Sequence, residues 1–158
     1  MSTALDIARQ LAPKVIVKTV EIKGEDGTVH EFQIKRFIGV GEKAEVERRI
    51  TERLANLKTL HKGKTPIIVT AEDVVGFEAL LPDLEPIKGD KEGKLQFFLT
   101  NESDIKIATT LEQSVVSPEM PWRAAALYSR CLADVCMDLV IAVGEMNTTE
   151  ALADAKND

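Results

Sequence analysis

A chain of 158 residues, 44% of them hydrophobic and 29% charged, has the composition of one ordinary globular domain. Its formal charge of −6 works against attraction to phosphates, so direct nucleic-acid binding is not expected. The opening residues lack the basic start and apolar run of a signal peptide, and no uncharged stretch nears the ~20 apolar residues of a membrane helix, so no membrane partner is expected.

Ser2 or Thr3 can cap a first short helix that carries Leu5, Ala8 and Ala12 on one face and stops at Pro13. Two segments rich in β-branched residues follow, Lys14–Lys23 and Thr28–Ile38, joined across Gly24-Glu25-Asp26-Gly27. Val20 and Ile22 alternate with Glu21 and Lys23, and Phe32 and Ile34 with Gln33 and Lys35. Period-two alternation on both sides of Asp-Gly predicts a β-hairpin, with Gly27 taking a positive φ. Gly39-Val40-Gly41 then leads into a helix from Glu42 to about Leu60, with Val46, Ile50, Leu54 and Leu57 as its apolar stripe. Glu45 with Arg49, and Arg48 with Glu52, have the spacing of ion pairs on its wet faces.

Thr65–Val69 reads as a strand, at a sheet edge because of Pro66. Thr70 is expected to cap a helix from Ala71 to Leu81 that turns Val74, Phe77 and Leu81 inward. Pro82 to Gly93 has the prolines, glycines and charges of a long surface loop or hinge. Lys94–Thr100 reads as a strand, and Asn101 or Ser103 caps a helix with Ile105, Ala108, Leu111 and Val115 inward.

The last apolar stretch, Pro121 to Glu145, reads as one long helix at the centre of the molecule. Trp122, Ala125, Ser129, Leu132, Cys136, Leu139 and Val143 alternate in steps of three and four and share one stripe. Leu127, Cys131, Val135 and Ile141 cover much of the rest, leaving Arg123, Arg130, Asp134 and Asp138 as a narrow polar strip, where Asp134 is expected to pair with Arg130. A helix this apolar needs covering by its own chain or by another, which makes Trp122, Ser129, Leu132, Cys136, Leu139 and Val143 the expected partner-binding set. The whole reads as one α+β domain over residues 1–146, with hairpin and short strands on four to five helices, and a polar tail over 147–158.

No residue pattern carries recognisable chemistry, and no catalytic residue, metal or cofactor is expected. Gly63-Lys64-Thr65 ends like a phosphate-binding loop, but Lys58 stands where that motif needs glycine, and an extended run follows. Gly39-Val40-Gly41 is a two-glycine elbow facing Glu42, a poor anion cradle. His30 and His61 lack ligand spacing. Cys131 and Cys136 lie about 500° apart around one helix, too divergent for a disulfide, and read as packed thiols of a reducing compartment. The expected location is therefore cytoplasmic, in the host cytoplasm if the protein is viral.

The order of the first 60 residues is similar to that of the tail assembly chaperones of long-tailed bacteriophages. A short N-terminal segment leads to the hairpin Val15–Ile38, which runs into the charged helix Glu42–Leu60. Such chaperones usually enter that helix through a Thr-x-x-Glu-like start, where this chain has Gly39-Val40-Gly41. The resemblance implies a non-enzymatic assembly protein that binds other polypeptides or itself. Two other readings stay open: a small acidic inhibitor docking on a basic nucleic-acid-binding surface, and an enzyme whose acidic site is assembled from distant residues.

Overall fold

The computed structural model describes residues 2–157, with side chains through Asn147. The architecture is α+β: five helices and two three-stranded antiparallel sheets among the described residues. Helix α1, Ala4–Leu11, is capped as expected: Asp6 N–H donates to the Thr3 hydroxyl, and Thr3 N–H to the Asp6 carboxylate. The hairpin pairs β1, Val17–Lys23, with β2, Val29–Lys35, in a register running from Val17 opposite Lys35 to Lys23 opposite Val29. Gly27 has φ +85°, and Asp26 accepts the Thr28 N–H, so the turn follows from those two residues. Ile22, Phe32 and Ile34 are buried on the inner face, as the alternation predicts.

Helix α2 spans Val40–Lys58 and starts inside the glycine elbow. Gly39 gives no side-chain cap, and Glu42 reaches back to accept the Ile38 N–H at 2.8 Å. The pairs Glu45–Arg49 and Arg48–Glu52 form as their spacing predicts. Lys62 and Gly63 both have positive φ, and Gly63-Lys64-Thr65 carries the chain from helix into strand, the reverse of a phosphate-binding loop's strand-to-helix order. The second sheet has β3, Thr65–Val69, at one edge, β5, Leu95–Leu99, in the middle and the two-residue β4, Glu85–Pro86, at the other. Pro66 thus sits on an edge strand, where its missing N–H costs least.

Four expectations change. The segment 71–81 is a series of turns ending in a single 3-10 turn, Glu78–Leu80. Thr70 and Asp73 exchange the hydrogen bonds of a helix start, but Gly76 has φ +87° and stops it, while Val74 and Leu81 are still buried. The 82–93 stretch is the surface loop expected, but it contains β4, and Asp83 accepts the Phe98 N–H, which anchors its start to β5. Val115–Ser117 forms β6, which joins the hairpin in the order β1-β2-β6.

The fourth change is the largest. The rod expected over 121–145 is broken at Leu132, with φ −128° and ψ 57°, into α4, Trp122–Cys131, and α5, Ala133–Asn157. Neither proline nor glycine marks the break, and the two halves cover different parts of the molecule. Helix α4 packs on α3, Glu102–Ser114, and on β3, whereas α5 turns to cover β1 and β2. The centre belongs instead to α3, capped by Asn101 and touching α2, α4 and α5; its Ile105, Ala108 and Leu111 are fully buried. The tail expected over 147–158 falls within α5, but its side chains from Thr148 onward lie outside the described residues.

Candidate functional site

Four separate stretches converge on a groove of about 470 Å³ beside the tip of the hairpin. Its floor is apolar: Ile22 and Phe32 from the hairpin's inner face, Tyr128 from α4, Leu132 from the break and Val135 from α5. Phe32 and Tyr128 meet edge to face, with ring centroids 6.1 Å apart. Burial raises the Tyr128 phenol above its ordinary value, with the neighbouring Cys136 thiol as a second cause, so the hydroxyl stays protonated at neutral pH. Lys23, Gly24, His30 and Glu31 form one rim, and Ser117 and Pro118 close the other side.

The backbone pattern gives this rim its character. Gly24 N–H donates to the Thr28 carbonyl, and Arg36 N–H to the Ile16 carbonyl. Alternation between these two points makes Ile22–His30 and Val20–Phe32 hydrogen-bonded pairs of the hairpin. The N–H and C=O groups of Val29, Glu31 and Gln33 therefore point the other way, toward β6. Ser117 pairs with Gln33, but β6 ends there. Among the described residues, nothing pairs with the outward groups of Val29 and Glu31. The groove is thus walled by an open strand edge, which can accept hydrogen bonds from, and donate them to, an extended chain.

The expected partner-binding stripe is dispersed by the break. Cys136, Leu139 and Val143 are buried in the chain's own core. Ser129 is half-buried and donates to the Ala126 carbonyl. Trp122 lies under the guanidinium of Arg53, 3.8 Å from its ring centroid, and Arg53 in turn pairs with Glu112. Leu132 alone of the set lines the groove. Arg130 does not meet Asp134; it holds Asp83 through both guanidinium NH2 groups, at 2.8 and 3.0 Å, and donates to the Phe98 carbonyl. Both cysteines are free. Their earlier separation by helical angle no longer applies, because the break lies between them. Burial raises both thiols, Cys136 to about 12, which opposes thiolate chemistry.

No pattern in the sequence marks the groove, because its walls come from segments around 23, 31, 117 and 130. Only the chain-order signals of the hairpin pointed toward it. Among the described residues no His, Cys, Asp or Glu group is arranged to hold a metal ion, and no helix is long and apolar enough to cross a membrane. No protein-family model, curated protein or solved structure matches the chain.

Proposed function

We propose that this chain is a non-enzymatic binding protein that engages another polypeptide during assembly, in the manner of a phage tail assembly chaperone. The observation that carries the reading is the groove with an apolar floor and an open strand edge for a wall. A small molecule would use the floor but leave the backbone groups of Val29 and Glu31 unanswered; a polypeptide uses both. The hairpin running into a charged helix, on which the resemblance to those chaperones rests, supports the same reading. The acidic-inhibitor reading gains less support: Glu45, Glu52, Glu102 and Glu112 are engaged by arginines or lysines of their own chain.

Photo-cross-linking in the cells that make the protein tests this. With Leu132 or Lys23 replaced by p-benzoylphenylalanine, irradiation is expected to trap a polypeptide. The same group at Glu47, on the exposed side of α2, is expected to trap none. Equal trapping from all three positions, or none from the groove, would contradict the reading.

A further inference from the structure

Resting on the polypeptide-binding reading, we infer that the groove takes an extended segment with an apolar–basic–apolar pattern, added to the β2 edge in line with β6. The backbone geometry sets the spacing. A residue placed opposite Glu31 shares its face of the sheet, while the residues before and after it point to the other face, into the groove. There they meet Phe32, Tyr128 and Leu132, which select apolar side chains.

The basic residue follows from charge. Glu31 and Glu21 stand directly opposite one another in the hairpin, both exposed on its outer face. The pair is of the non-hydrogen-bonded kind, in which side chains approach most closely, so the two carboxylates repel. Among the described residues neither makes an ion pair; Lys23, two positions along β1, forms none with them. A Lys or Arg on an added strand would lie beside Glu31 and relieve that repulsion. The net charge of −6 favours the same approach from a distance.

The test uses fluorescent heptapeptides of alternating valine and arginine, of alternating valine and glutamate, and the arginine peptide N-methylated on alternate amides, so that one edge loses its N–H donors. Anisotropy at low salt is expected to show the arginine peptide binding about five- to tenfold tighter than the glutamate peptide, a ratio that shrinks as salt rises. Glu31→Lys is expected to invert the preference, and Glu21→Gln to weaken it. Methylation of the edge that faces β2 is expected to abolish binding. Equal binding of the two charge patterns, or undiminished binding whichever set of amides is methylated, overturns the inference. A partner cross-linked through Leu132 that shows no basic preference overturns the inference and leaves the polypeptide-binding reading standing; no cross-link from the groove removes both.

Discussion

Arg130 joins three parts of the chain that are distant in sequence. From the end of α4 it grips Asp83 in the 82–93 loop and the Phe98 carbonyl in β5. Its side chain is only 19% exposed and that of Asp83 31%, so the pair is poorly screened by water. The Arg130 hydrogen bonds hold the Asp83 carboxyl below the usual aspartate range, with the Phe98 N–H a lesser cause on the same side. A depressed folded pKa stabilises above the unfolded value and is lost as pH falls through the folded one. Asp83→Ala is accordingly expected to cost about 2 kcal/mol at pH 7 in urea unfolding. The gap between the two proteins should narrow below about pH 4, as the wild-type carboxyl protonates. A gap unchanged at pH 2 would contradict this. Arg53 offers a second residue-scale test, because Trp122 is the only tryptophan. Arg53→Lys keeps the charge but loses the flat stack and the paired contact with Glu112. It should cost about 1 kcal/mol and change the tryptophan emission of the folded state. Sequence revealed neither partnership: Arg130 had a nearer candidate in Asp134, and nothing linear linked residue 53 to 112 or 122.

Among the elements, α1 is the outlier. It has a clean apolar face and a complete capping box, yet buries no residue; Leu5 is 69% and Leu11 74% exposed. Eight residues are too few to hold a helix in water by local bonds alone. Removing residues 2–12 is therefore expected to shift the urea midpoint by the equivalent of less than about 0.5 kcal/mol. A loss above about 2 kcal/mol would show that α1 packs on the body after all. Contrast α3, where Asn101, the apolar period and the burial of Ile105, Ala108 and Leu111 agree. There Leu111→Ala should cost about 2–5 kcal/mol. Elements whose local signals agreed with their packing, the hairpin, α2 and α3, were legible in the sequence. Those decided by distant contacts were not. No proline or glycine flanks Leu132, where α4 ends and α5 begins on different neighbours; Gly76 undid a helix start that Thr70 and Asp73 do make.

At the scale of the whole molecule, the two sheets and α3 make one core, and the break at Leu132 lets a single C-terminal stretch serve both halves. That break also leaves the groove, because α4 and α5 diverge beneath a hairpin that extends beyond β6. The fold class was readable from periodicity and turns; the groove was not, since no pattern in the sequence brings residues 23, 31, 117 and 132 together. Binding of a polypeptide in the groove requires β2 to be open on one side at its hairpin end. Residue-resolved amide hydrogen exchange on the free protein reads this directly. His30 and Phe32, bonded across to β1, should exchange slowly, while Val29 and Glu31 exchange fast and become protected when a bound polypeptide fills the edge. Protection of all four amides in the free protein would show the edge already closed and contradict the account.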